Sequence, residues 1–244
     1  MKLLALISIS LIGCTLPAAP EIGPGPGGSQ SQANDASVDS PDAGGGEPLP
    51  GPDAEARADA QPRSERVLSQ TDSNIVEGDA SIACVDDDGR PVENSYYRVF
   101  DLAAEEIEGS FHVTKVEIGV QIADGGDDGA LPIDVRLHTL APELPLQVQN
   151  LGPVATATND ATERSDNRLA FDFDADIRSG SRLVVEVHAP DGRGRGDAFF
   201  IGANDDGQSA PSYIRATECE DDPPRDLATV GFPDMHIIID VTGA

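Results

Sequence analysis

Three short turns place carboxylate and amide oxygens beside a glycine. They are Asp86-Asp87-Asp88-Gly89, Asp124 with Asp127-Asp128-Gly129, and Asn204-Asp205-Asp206-Gly207. Ca²⁺ prefers hard oxygen ligands, and glycine permits the tight bend that gathers them. The spacing makes these turns candidate calcium sites, with solvated acidic turns as the ordinary alternative in a chain of formal net charge −28. Calcium is the one cofactor that the sequence suggests.

A further acidic series has the D-x-D-x-D spacing of a calcium-binding loop. It consists of Asp172, Asp174 and Asp176. Such a loop needs glycine at its sixth position and glutamate at its twelfth, where this sequence has Ile177 and Leu183. The intervening phenylalanines indicate a strand, and a strand cannot wrap its carboxylates around one ion. We therefore expect these aspartates to lie on the solvent-exposed face of a strand.

Other chemistry-bearing residues give weaker patterns. Glu186 and His188 share a predicted strand face and offer two ligands to zinc or copper, but no H-x-H, H-E-x-x-H or C-x-x-C motif accompanies them. The segment Gly207–Pro211 lacks the closing glycine of a G-x-S-x-G nucleophile elbow. Arg195-Gly196-Asp197 is an RGD tripeptide in a glycine-rich turn, where chance explains so short a motif. No enzyme is indicated.

The N-terminus has the organisation of an export signal. Lys2 precedes the apolar run Leu3–Ile12, which is too short to span a bilayer as a helix. The next residues complete Leu11-Ile12-Gly13-Cys14, which resembles the lipobox of bacterial lipoproteins. That resemblance implies a signal peptide over residues 1–13, acyl chains (palmitate among them) on Cys14, and attachment to a bacterial membrane outside the cytoplasm, at the outer membrane or cell surface.

The chain has three cysteines, and an odd count in an exported protein requires one with a separate fate. Cys14 takes that fate as the lipid carrier. Cys84 and Cys219 then remain as a disulfide pair in an oxidising compartment, with two free thiols as the alternative.

Composition separates a tether from a domain. Residues 14–73 are rich in Pro, Gly, Ala, Ser and Asp, which predicts a disordered linker, and residues 74–244 contain the apolar side chains of a core. Apolar and polar residues alternate with period two along much of that domain. The predicted strands lie around residues 96–102, 115–122, 133–138, 154–158, 169–174, 183–188, 198–203, 212–216 and 236–241.

This pattern predicts an all-β protein with a single antiparallel β-sandwich or jelly-roll domain of about nine strands. The alternation places Val185 in the core and Glu186 at the solvent face, where its removal should change stability by no more than about 0.5 kcal/mol. Residues 75–84 are expected to enter as an edge strand or extended segment.

Several segments resemble a β-sandwich module found in secreted and surface proteins of several bacterial phyla. They are Tyr96–Leu102, Phe199–Asn204, Gly207–Ile214, Cys219, Gly231–His236 and Val241–Gly243. The resemblance implies the sandwich architecture and attaches no activity to it.

The acidic charge excludes nucleic acid as a partner, because phosphate contacts need lysine and arginine. We first expect a non-enzymatic surface lipoprotein that is attached to the membrane through its lipid. Its domain would bind an unknown protein or polysaccharide, or would serve a structural role. The alternative is a calcium-assisted, lectin-like carbohydrate-binding module, although the chain has no Trp for a sugar platform. A hydrolase with a loop-built site ranks last.

Overall fold

The computed structural model describes residues 2–5, 64–78, 80–164 and 167–244, with backbone only for residues 2–5. Cys14 and residues 14–63 of the predicted tether lie outside this part of the chain. Within it, fifteen strands and four 3-10 helices follow one another. None of these helices exceeds four residues, and none has the length and hydropathy to cross a membrane.

The strands are β1 (Lys2–Ala5), β2 (Arg66–Leu68), β3 (Ile82–Val85), β4 (Asn94–Phe100), β5 (Phe111–Asp124), β6 (Pro132–Leu140), β7 (Gly152–Asp160), β8 (Arg168–Ile177), β9 (Arg182–Ala189), β10 (Ala198–Ile201), β11 (Ala203–Asn204), β12 (Tyr213–Ala216), β13 (Asp221–Asp226), β14 (His236–Ile237) and β15 (Ile239–Gly243). The 3-10 helices are Gly126–Asp128, Val148–Asn150, Thr217–Cys219 and Leu227–Val230.

Two antiparallel sheets form the body of the domain. One has six strands in the order β13-β12-β4-β9-β6-β7. The other has five and is organised around the long strand β5, which pairs with β8 on one edge and with β15 on the other. Strand β2 extends this sheet beyond β15, and β10 pairs with the last residues of β5.

The core fills the space between these two sheets. Phe171 of β8 and Val116 of β5 come from one sheet, and Val185 of β9 and Ile133 of β6 from the other, all within one buried apolar cluster. The period-two alternation thus places one face of each sheet inward, as expected for half-buried strands. The predicted all-β sandwich is confirmed, with eleven strands in its two main sheets rather than about nine.

Two strands lie where the sequence did not indicate them. Strand β2 falls inside the predicted tether and pairs with β15. Its three residues are too few to show a period. Strand β13 has the sequence DDPPRD and forms an edge of the six-stranded sheet. Two consecutive prolines are tolerated because this strand is an edge strand and because its pairing with β12 is interrupted by a register shift between Ile214 and Ala216.

The predicted disulfide is confirmed. Cys84 of β3 and Cys219 of the third 3-10 helix are joined, with their Cα atoms 6.0 Å apart. The bond links the N-terminal part of the domain to its C-terminal quarter. Strand β3 also pairs antiparallel with β1, which comes from the predicted signal peptide.

Candidate binding site

A cluster of polar side chains lies on the outer face of the six-stranded sheet, around Glu186 of β9. The Glu186 carboxylate accepts hydrogen bonds from Ser95 Oγ (2.9 Å) and Tyr97 Oη (3.2 Å) of β4. On the other side it contacts His138 Nε2 (3.0 Å) and Arg136 Nη1 (3.4 Å) of β6. The strand register causes this convergence, because Tyr97 and Arg136 are the two cross-strand neighbours of Glu186. We call these five residues the Glu186 network.

Glu186 is only 6% exposed, so its predicted place at the solvent face is wrong. The physical reason is that a second apolar cluster covers part of this outer face, with Leu146 and Leu151 packed on Tyr97, Leu140 and Val184. Burial opposes ionisation of Glu186, but hydrogen bonds from His138 and Ser95 and the charge of Arg136 outweigh it and lower the pKa to about 2.

The Glu186 network contains a serine, a histidine and a carboxylate, and His188 lies beside it, yet its geometry does not suit nucleophilic catalysis. Ser95 is 2% exposed and donates to Glu186 itself, while its Oγ lies 3.2 Å from His188 Nδ1. A buried hydroxyl cannot reach a substrate. Glu186 and His188 were possible ligands for zinc or copper, but they gain no third ligand. Among the described residues, the one set of three possible metal ligands that lie close together is elsewhere in the domain. The network fastens three strands together.

In the predicted calcium turn Asp86–Gly89, two of the carboxylates are paired with the next residue, Arg90. Asp86 accepts hydrogen bonds from the backbone amides of Arg90 and Asp88, each at 2.9 Å. The Arg90 guanidinium also pairs with the carboxylates of Asp86 and Asp88. The amide of Arg90, above all, lowers the pKa of Asp86. These contacts explain the acidic turn without a cation.

In the second predicted calcium turn, Asp124–Gly129, a backbone amide rather than a cation contacts the first carboxylate. Asp124 accepts a hydrogen bond from the Gly126 amide at 3.0 Å, and Asp127 and Asp128 point into solvent. Beside this turn lies Asp197 of the RGD tripeptide, 2% exposed and paired with Arg195 at 2.7 Å. A buried aspartate cannot serve an integrin-type contact, so the RGD sequence has a structural role here.

The third predicted turn gains a partner that the sequence did not indicate. Glu77 lies with Asp205 and Asp206 so that one oxygen from each carboxylate falls within 4.8 Å of the others. Partial burial, and then the charges of the two aspartates, raise the pKa of Glu77. Asn204, the third predicted ligand of this turn, is buried and donates from its amide to the carbonyl of Ser73 at 2.8 Å. The three turns are not brought together into one site.

A groove lies between the segment that follows β2 and the outer face of the five-stranded sheet. It comprises two cavities of about 540 and 480 Å³ that share Val67, Asn74, Ile75 and Asp240. We call it the Asp240 groove. Its remaining lining residues are Val76, Glu117, Asn167 and Arg168 in the larger cavity, and Ser69, Thr71, Asp72 and Ser73 in the smaller.

The chemistry of the Asp240 groove combines an apolar rim with a buried acid. Val67 and Ile75 are 64% and 69% exposed, which is unusual for large aliphatic side chains. Asp240 is 6% exposed; its Oδ2 pairs with Arg168, and its Oδ1 has no hydrogen-bond partner among the described residues. A buried carboxylate oxygen without a donor is costly. This oxygen is enclosed by protein atoms, so a ligand in the groove would contact the more accessible polar side chains around it.

Sequence reasoning missed this groove for two reasons. The alternation of β15 identified Asp240 only as an outward position between Ile239 and Val241. The wall above it, residues 69–76, was assigned to the tether for most of its length. The available signal was the two apolar pairs, Val67-Leu68 and Ile75-Val76, in an otherwise polar stretch.

No protein-family model matches this sequence, and neither a characterised protein nor a solved structure is significantly similar to the chain.

Proposed function

We propose that this protein is a lipid-anchored, non-enzymatic binding module that acts outside the cytoplasm and takes its ligand in the Asp240 groove. The observation that carries the proposal is the groove itself, in which the exposed aliphatic side chains of Val67 and Ile75 lie beside the polar residues Asn74, Glu117 and Arg168. Pockets of this size and mixed lining are typical of ligand sites. The fitting ligand has an apolar face and hydroxyl or amino donors, as a polysaccharide or a basic peptide segment does.

Export and anchoring have separate support. The segment Leu11–Cys14 resembles a lipobox, and in our proposal residues 1–13 are removed and Cys14 carries the lipid. The disulfide between Cys84 and Cys219 supports the same compartment, because such bonds persist in oxidising surroundings. A disordered tether of the proposed length would have an r.m.s. reach of about 40–45 Å, enough to lift the domain clear of lipid headgroups.

Metabolic labelling with a fatty-acid probe tests the anchor. The wild-type protein should incorporate label and remain with the membrane, and Cys14→Ser should lose both properties. Label that persists in Cys14→Ser, or wild-type protein released without modification, would refute lipidation at this residue.

Binding to glycan and basic-peptide arrays tests the groove. Ile75→Ala removes most of an exposed aliphatic side chain from the rim, so folding should be unaffected and ligand affinity should fall at least about fivefold. Val148→Ala is the matched control, because Val148 is another exposed aliphatic residue but lies in the 3-10 helix before β7. Equal affinity of both variants for the ligand found would place the site elsewhere.

A second candidate function is calcium-assisted carbohydrate binding. The observation that favours it is the convergence of Glu77, Asp205 and Asp206. Glu77 directly follows the segment that walls the groove, and the amide of Asp72 in that segment donates to the carbonyl of Gly207 at 3.1 Å. A cation held there would fix the wall. Glycan binding that a calcium chelator abolishes would favour this candidate over the first.

A further inference from the structure

Strand β3 has two backbone edges, and one of them is satisfied within the domain. Cys84 receives a hydrogen bond from the amide of Val92 at 3.0 Å and donates its own amide to Asn94 Oδ1 at 2.8 Å. The Asp86 amide, on the same side, donates to the carbonyl of Arg90 at 2.9 Å. Backbone groups alternate along a strand. Ala83 and Val85 therefore direct their N–H and C=O groups to the opposite edge.

That opposite edge is occupied by β1. The register opposes Leu4 to Ala83 and Lys2 to Val85. By the same alternation, Leu4 and Lys2 are the residues whose backbone groups bond to β3, while Leu3 and Ala5 direct theirs away. Among the described residues, β1 is the one strand that pairs with β3 over its length.

The edge lies in apolar surroundings. Ala83 and Val85 are buried and form a small cluster with Phe200 that is separate from the main core. Buried backbone groups that lose their partners cost about as much as a lost hydrogen bond each. Cleavage before Cys14 would remove β1 and leave the groups of Ala83 and Val85 without that partner.

We propose that the mature protein uses the Ile82–Val85 edge to accept an extended apolar segment of a partner protein as an added antiparallel strand. This inference rests on the proposed removal of residues 1–13. The chemistry of the occupant follows from β1, an apolar strand that the same edge already accommodates. A second copy of this chain is disfavoured as occupant, because each copy has a formal net charge of −28. Main-chain hydrogen bonds would supply affinity in this mode.

The test uses a synthetic peptide of residues 2–7 and two forms of the full protein. The first is the mature protein from membranes, and the second is the Cys14→Ser chain with its leader retained, each verified by intact mass. We expect the Ala83 and Val85 amides to exchange slowly in the leader-retaining chain, quickly in the mature protein, and slowly again once peptide is added. Peptide should bind the mature form at least about tenfold more tightly than the leader-retaining form.

N-methylated peptides provide the matched control. N-methyl at Leu4 removes a donor that faces Ala83 and should weaken binding at least about tenfold. N-methyl at Leu3 removes a donor that faces away and should change affinity less than about threefold. Equal effects at the two positions would overturn the inference, as would slow exchange of both amides in the peptide-free mature protein. Intact mass that shows an uncleaved wild-type chain would instead refute the proposed processing.

Discussion

At the scale of the residue, the environment decides what each of three acidic side chains does. Glu186 receives four hydrogen-bonding neighbours and ionises readily. Glu77 meets two like charges and holds its proton more firmly. Asp240 pairs through one oxygen, and its other oxygen is buried without a hydrogen-bond partner among the described residues. All three lie in an acidic chain in which composition distinguishes none of them.

Acid stability should depend on Glu186. Its pKa of about 2 lies below the ordinary 4.5, so its contribution is present above about pH 4.5 and is lost as pH falls toward 2. Between pH 5 and pH 2.5, we expect the wild type to lose about 2–3 kcal/mol more stability than Glu186→Gln, measured by denaturant unfolding. Glu143→Gln, at an exposed position, should follow the wild type. Parallel curves for Glu186→Gln and wild type would contradict the network.

Calcium should stabilise the protein through Glu77 in the second candidate function. Extracellular modules bind calcium at about 10⁻⁴–10⁻³ M, so 1 mM calcium should add about 0.4–1.4 kcal/mol. Calorimetry would show this as a rise in Tm beyond that in sodium chloride of equal ionic strength. Glu77→Gln should abolish the excess, whereas Asp127→Asn, in a turn without a converging partner, should retain it. An equal rise in both salts would mean ordinary screening.

At the scale of the element, alternation is a reliable guide wherever one sheet face is buried and the other is wet. Strand β8 shows this fully: Leu169, Phe171 and Ile177 are buried and Asp172 and Asp176 are exposed. Strand β9 departs from the pattern because its outer face is also covered. A strand buried on both faces has polar residues only where a network satisfies them.

Adjacent substitutions in β8 should therefore have very different effects. Phe171→Ala leaves a cavity in the core between the sheets and should cost about 3–5 kcal/mol of unfolding free energy. Asp172→Ala should change it by no more than about 0.5 kcal/mol, because the side chain is exposed. Urea denaturation measures both values. Comparable losses would mean that β8 is not half-buried as the structure has it.

At the scale of the whole molecule, the disulfide joins segments that are 135 residues apart in sequence. It connects β3, which lies outside the two main sheets, to the 3-10 helix beside β13. The loop that it closes contains most of the strands of the sandwich. Its main effect should therefore be to restrict the unfolded chain.

Replacing both cysteines by serine should lower stability by about 4–5 kcal/mol on loop-entropy grounds. For a domain of this size that corresponds to a fall in Tm of about 10 °C or more, measurable by calorimetry. Reductant should lower the Tm of the wild type and leave the double variant unchanged. A double variant that melts within about 2 °C of the oxidised wild type would show that the bond contributes little.

The sequence by itself determined the fold class, most of the strands and the cysteine pair. Alternation in β5, β6, β8 and β15 is a local signal, since each strand must bury one face whatever its neighbours are. The pairing of Cys84 and Cys219 was expected from the odd cysteine count and the lipobox resemblance at Cys14, and the structure confirms the pairing. Strand β2 was not predicted, because its three residues are too few to show an alternation.

Only the tertiary structure decided which polar residues meet. Glu77 reaches Asp205 and Asp206 through a loop contact, in which its amide donates to the carbonyl of Ala203 at 3.1 Å. Ser95, His138 and Glu186 converge through cross-strand register that no local pattern encodes. The Asp240 groove exists because residues 69–76 lie over the outer face of a sheet formed by strands distant in sequence. Burial of a polar side chain depends on what packs above it, and this is a property of the assembled chain rather than of the residue.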